Sequence, residues 1–251
     1  MTVTAIRASE IPTMTHREAM TIASDEGALL LDLVRRLNTD DWSAPTDCDG
    51  WDVKALLSHV LGGMEANAQV REFVGQLRAA TKAAKQSGRP MIDEMTAAQV
   101  REHTTLAPGD FEPKMRTLAP KAVAGRRRIP ALVRALPFKP GPPIDGSWKL
   151  GYLVDTILNR DSWMHRVDLA RATGKPLVLT HEHDGRIIAD VVAEWARAHG
   201  QPFELVLDGP AGGTFVQGDR GERLTLDAIE FCRILSGRAS GSGLLDQEVP
   251  F

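Results

Sequence analysis

Cysteine is scarce: Cys48 and Cys232 are the only two in 251 residues. A pair so far apart gives neither a disulfide framework nor a metal-ligand spacing, and such scarcity suits a reducing compartment. The chain also lacks an uncharged apolar run near the roughly 20 residues that cross a bilayer. Its opening stretch, MTVTAIRASEIPTMTHRE, has no apolar segment of the kind a secretory signal carries. The expected location is therefore the cytoplasm. Charge of one sign is missing too: 30 Lys and Arg against 33 Asp and Glu leave −3, so no global field argues for nucleic acid or membrane as a partner. No internal repeat is visible. What remains is an ordinary globular composition, 43% hydrophobic and 25% charged, long enough for one large domain or two modest ones.

Hydrophobic spacing predicts helices over most of the first 176 residues. Thr15 and Glu18 form a capping box ahead of Leu29, Leu30, Leu33, Val34 and Leu37 at helical intervals. Asp40 to Gly50 breaks the pattern and reads as a loop pinned by Trp42 and Trp51. A second helix runs from about Asp52 past Gln69 on the stripe Val53, Leu56, Leu57, Val60, Leu61 and Met64. The chain stays helix-friendly from Arg71 to Lys85, and a weaker helix covers Asp93 to Thr105. Pro108 to Pro143 holds eight of the fifteen prolines and reads as irregular chain with short helical pieces, a candidate lid. Trp148 to Thr173 is the strongest helix, ended by Gly174 and Pro176.

Beyond Pro176 the pattern changes to a helix over Gly185 to His199 and short strands at Phe203–Leu207, Thr214–Gln217 and Arg223–Leu226. A last helix starts near Asp227 and ends at Gly237. The expected organisation is α+β: a helical domain over 1–176 and a smaller α/β domain over 177–251.

Two helices carry polar residues where burial is expected. His59 follows Leu56 along the edge of the second helix's stripe, with Gly62 and Gly63 one turn on; mid-helix glycine costs about 1 kcal/mol relative to alanine, so two together suggest that space was needed. In the Trp148 helix the inward row Leu153, Ile157, Asp161, His165 runs, in steps of four, into a carboxylate and an imidazole. A buried carboxylate needs a partner, and Asp and His one turn apart reach one divalent cation. A third ligand from a neighbouring helix would complete a site with open positions. On spacing alone a core histidine and a hydrogen-bonded Asp–His pair are the commoner arrangements, with a metal site as the alternative.

The words around these residues carry a resemblance. Asp41-Trp42, Pro45-Thr46, Cys48 and Gly50-Trp51-Asp52-Val53 leading to His59, then Arg160-Asp161, Trp163-Met164-His165-Arg166-Val167-Asp168 with Gly174, resemble the mycothiol-dependent maleylpyruvate isomerase family within the DinB-like metalloenzymes. The tail, Asp227-Ala228, Glu230-Phe231, Arg233 and Leu235-Ser236-Gly237-Arg238 through Val249-Pro250-Phe251, is similar to that family's C-terminal domain, which resembles the sterol-carrier fold. The resemblance implies a DinB-like four-helix bundle in which His59, Asp161 and His165 hold a divalent metal ion, zinc, and a thiol cosubstrate, mycothiol, a low-molecular-weight thiol of actinobacteria. It also implies addition of that thiol to an electrophilic small molecule, ending in S-transfer or cis–trans isomerisation. The founding isomerase is expected to carry Glu where this chain has Asp161; a side chain one methylene shorter draws the ion toward its helix or weakens its hold.

Among the remaining residues, Arg126, Arg127 and Arg128 form a basic run suited to a carboxylate substrate or the thiol's headgroup, or to plain solvation. Cys48 is expected to pack, His181 and His183 to lie in a solvated loop, and Arg160 and Arg166 to make surface pairs. Asp168 either orients His165 or joins a surface salt bridge. The alternatives to the enzyme are a non-catalytic binding protein built on the C-terminal strands and a metal-dependent hydrolase that activates water. A monomer and a homodimer both remain open.

Overall fold

The computed structural model describes residues 5–141 and 146–251; the first four residues and the segment containing Pro142 and Pro143 lie outside them. In chain order the elements are β1 (Ile6–Arg7), α1 (His16–Arg35), α2 (Val53–Ala68), α3 (Val70–Ser87), α4 (Met91–Glu102), α5 (Pro108–Arg127) and the one-turn α6 (Ala131–Arg134). Then come β2 (Pro137–Phe138), β3 (Trp148–Lys149), the short α7 (Leu150–Tyr152), a wide π turn (Leu153–Ile157) and α8 (Leu158–Thr173). The chain closes on α9 (Arg186–His199), β4 (Phe203–Asp208), β5 (Gly213–Gln217), β6 (Glu222–Asp227) and α10 (Ala228–Leu235). Two compact units result: Thr15–Pro176, and Leu177–Phe251 together with the chain up to Met14.

In the helical unit α1, α2, α5 and α8 pack as a four-helix bundle, with α3 and α4 against α2. α1 starts where its capping box places it: Thr15 Oγ1 accepts from Glu18 N–H, and the Glu18 carboxylate accepts from Thr15 N–H. α2 is capped by Asp52, whose carboxylate accepts from Ala55 N–H. Leu30, Leu33, Leu56, Leu57, Leu61, Phe111, Met115, Trp163, Met164 and Val167 fill the core, each contributing about 1.5–3 kcal/mol by leaving water.

Two expectations fail in this unit. The proline-rich segment is not irregular at its start: α5 is a 20-residue helix. Pro108 sits in its first turn, where a missing N–H is harmless. Pro113 and Pro120, seven residues apart, both lie on the exposed face, while Phe111, Met115, Ala122 and Arg126 are buried on the other. Burial of that face outweighs the two lost donors. The Trp148 helix, in turn, is interrupted. Leu153–Ile157 winds as a π turn, so steps of four no longer keep one face across it, and Leu153 is half-buried while Val154–Ile157 are buried.

The second unit is a four-stranded sheet in the order β1-β5-β4-β6, with β5 antiparallel to β4, and β1 and β6 parallel to their neighbours. The opening residues group here because Ile6 pairs with Phe215, whereas a 1–176 boundary leaves them with the helices. Trp195 of α9 is fully buried against Phe203 and Phe231, and Asp227 caps α10 through Ile229 and Glu230 N–H. His181 and His183 fall in the turn that opens α9; His183 is buried, not solvated. Among the described residues no helix is long and apolar enough to cross a membrane.

Candidate metal centre

α2 and α8 meet in the bundle and bring His59, Asp161 and His165 together, their ligand atoms all within 4.8 Å of one another. Asp161 Oδ1 lies 3.4 Å from His165 Nε2 and 3.8 Å from His59 Nε2. Metal–ligand bonds near 2.0–2.1 Å in tetrahedral geometry put neighbouring donors about 3.3 Å apart, so this spacing fits a first-row divalent ion after small adjustments. The two imidazoles stand edge to face, centroids 5.1 Å apart, and Trp51 lies 5.3 Å from the His59 ring. The Asp161 side chain keeps 34% of its surface accessible, which leaves the cluster approachable.

Both histidines are held from behind, and this is the second sign of fit. His165 Nδ1 faces Asp168 Oδ2 at 3.1 Å, and Asp168 is fully buried; of the two roles open to Asp168, the structure selects the orienting one. His59 Nδ1 faces Gln99 Oε1 at 2.7 Å. Both Nε2 atoms are thereby turned to Asp161. Burial pulls the His165 ring toward neutrality, but Asp161, Asp168 and Cys48 outweigh it and hold the ring's pKa well above its usual value. Burial likewise pushes the Asp161 carboxyl up, and His165 and then His59 bring it well below the carboxylate range. An anion flanked by imidazoles is the charge pattern a divalent cation would take over.

Cys48 departs from its expected packing role. Its Sγ lies 3.4 Å from Asp168 Oδ2 and 3.9 Å from His165 Nδ1, a contact invisible when only sequence neighbours are inspected. Arg160 and Arg166 are also not surface residues: each is 2% exposed, and Arg166 Nε donates to Glu26 Oε1 at 2.7 Å, tying α8 to α1. Gln76 and Gln99 are both buried, and nothing in the sequence around a lone glutamine marks such a role. The glycine pair beside His59 was the available signal. A Cβ on Gly62 would stand 2.6 Å from Gln99 Cγ, whereas Gly63 faces open space.

That space is a cavity of about 70 Å³ lined in part by His59, Gly63, Asn67, Arg126, Asn159 and Asp161. α5 reaches it because Gly125 allows close approach: a Cβ there would lie 2.0 Å from Asn67 O. Arg126 is buried, donates from Nη2 to Val154 O in the π turn and to Asn159 Oδ1, and leaves Nε without a partner among the described residues. Burial lowers it to about 10, against the pull of Asp155 and Asp161, so it stays cationic at neutral pH. Arg127 and Arg128 are exposed and do not line the cavity.

The fold is shared with solved structures. A crystal structure of the mycothiol-dependent maleylpyruvate isomerase matches with a TM-score of 0.57 and 15% identity, covering 94% of this chain and 93% of that one. The crystal structure of a histidine-to-alanine mutant of the mycothiol-dependent maleylpyruvate isomerase matches with the same score and identity over 93% and 92%. No curated protein matches. The model of one family, described as the mycothiol maleylpyruvate isomerase N-terminal domain, matches residues 23–170, which include all three clustered residues. The chain belongs to the mycothiol maleylpyruvate isomerase family.

Proposed function

We propose that the protein is a cytoplasmic metal-dependent enzyme that uses mycothiol to attack an electrophilic small molecule, as an S-transferase or a cis–trans isomerase of the maleylpyruvate isomerase type. The observation that carries this reading is the convergence of His59 Nε2, Asp161 Oδ1 and His165 Nε2 on one point. These three residues would hold the ion, with zinc the metal best suited to two imidazoles and a carboxylate. A bound divalent cation stabilises a thiol as its thiolate at neutral pH, supplying a nucleophile that free thiol lacks.

The chain's own residues do the rest. Asp161 would neutralise part of the cation's charge, and a site with three protein ligands would have room for a thiol. Asp168 and Gln99 fix the ring orientations of His165 and His59. Arg126 presents a buried cation at the cavity wall, suited to anchor an anionic group of the electrophile, so that the reacting carbon sits beside the ligand cluster. Its exposed neighbours Arg127 and Arg128 would serve at most the thiol's polar headgroup. The Thr15–Pro176 unit is the proposed chemical domain.

The test is incubation of zinc-loaded protein with mycothiol and a panel of electrophiles, followed by chromatographic separation and mass spectrometry. The expected result is an adduct or isomer from wild type and none above background from His59→Ala, because two ligands chelate poorly. Turnover that is unchanged when the thiol is omitted would replace this reading with the hydrolase.

A further inference from the structure

On the Nδ1 side of His59, α2, α3 and α4 close around a file of polar side chains that continues past Gln99. Gln99 Oε1 lies 2.7 Å from His59 Nδ1, and Gln99 Nε2 lies 2.8 Å from Gln76 Oε1. Gln76 Nε2 in turn reaches Gly62 O and Glu72 Oε1, each at 3.2 Å. Gln76 and Gln99 are 8% and 4% exposed, so their amide atoms depend on one another for partners.

The far end of the file sets its direction. A backbone carbonyl and a carboxylate only accept hydrogen bonds, so the Gln76 atom facing Gly62 and Glu72 is its nitrogen, and its oxygen faces Gln99. That oxygen requires a donor, which makes the opposing Gln99 atom nitrogen and turns the Gln99 oxygen to His59. An amide oxygen also only accepts. Nδ1 of His59 therefore carries the hydrogen, and in the neutral ring Nε2 keeps its lone pair, on the side of Asp161 and His165. Gly62 belongs to the device twice: its carbonyl ends the file, and its missing side chain makes room for Gln99.

We propose that Gln76 and Gln99 are positioning residues that hold His59 as the Nδ1–H tautomer. α3 and α4 contribute none of the three clustered ligand atoms, yet they set how His59 offers its lone pair. The consequence for a bound ion rests on the function proposed above; the site of the proton does not.

Spectra of ¹⁵N-labelled histidine in the metal-free full-length protein, recorded over a pH series, report directly which nitrogen carries the hydrogen. The wild type is expected to carry the His59 hydrogen on Nδ1. Gln99→Leu, which removes the acceptor, is expected to release it. Zinc affinity, measured by chelator competition, should fall about tenfold in Gln99→Leu. Wild-type His59 protonated on Nε2 overturns the proposal, as does an unchanged tautomer in Gln99→Leu. If Gln99→Leu does not fold, the wild-type spectrum alone decides. A protein that shows the Nδ1 hydrogen yet takes up no zinc supports the relay and removes the proposed function instead.

Discussion

The two imidazoles that face Asp161 are supported in opposite ways. His165 leans on a fully buried carboxylate, Asp168, one turn along its own helix, with the Cys48 thiol on the same oxygen. His59 leans on neutral amides from two other helices, Gln99 and behind it Gln76. The carboxylate adds negative charge next to the cluster and raises the proton affinity of its ring; the amide chain adds direction and no charge. One arm is electrostatic and local, the other geometric and dispersed over α2, α3 and α4. Such unequal supports separate the strength of a ligand from its aim.

The comparison can be broken from the strong side first. Asp168→Asn keeps the shape of the His165 support and removes its charge. Zinc affinity is expected to fall up to about 100-fold, more than in any glutamine variant, and His165 to titrate closer to its ordinary value. Equal losses from Asp168→Asn and Gln99→Leu in chelator competition would erase the distinction. Cys48→Ala removes the thiol donor to Asp168 and should produce a smaller loss than Asp168→Asn, with Cys48→Ser restoring the wild-type affinity.

The smallest effect sharpens the other arm. His103 caps the C-terminus of α4, four residues after Gln99; its Nδ1 meets Gln99 O at 2.7 Å and its Nε2 meets Glu65 Oε2 at 3.2 Å. The hydrogen bond to Glu65 raises its pKa above 6.5, against burial. A raised histidine stabilises the fold fully below its unfolded value, and that contribution is lost as pH rises through the folded one. Glu65→Gln is therefore expected to destabilise the protein by about 0.5–1 kcal/mol in urea titrations below pH 6.5. The difference from wild type should shrink as the pH climbs. A gap that widens with pH would have the sign wrong.

Where local rules suffice, the fold was legible from residues alone. The Thr15–Glu18 box, the Asp52 cap, the stripe from Val53 to Met64 and the strands after Pro202 all act over a few neighbours, and all appear as elements. The His59, Asp161 and His165 cluster was legible through its side-chain spacing together with the surrounding family motifs. Two kinds of information were not. α5 was hidden because Pro113 and Pro120 are read as helix breakers until both are known to face solvent. The supports of the site were hidden because Gln76, Gln99 and Cys48 gain their roles from contacts 23, 40 and 117 positions away in the chain. Arg160 and Arg166 were misplaced for the same reason: a charged side chain looks like surface until a partner such as Glu26 appears on another helix.

The proposed function places one divalent ion between His59, Asp161 and His165 with a position left for a thiol. Cobalt(II), added to the metal-free protein, makes both halves visible in one electronic spectrum. The account predicts one equivalent of cobalt bound, with a sulfur-to-cobalt charge-transfer band growing in as mycothiol is added. Full cobalt occupancy with no such band at saturating thiol would contradict it.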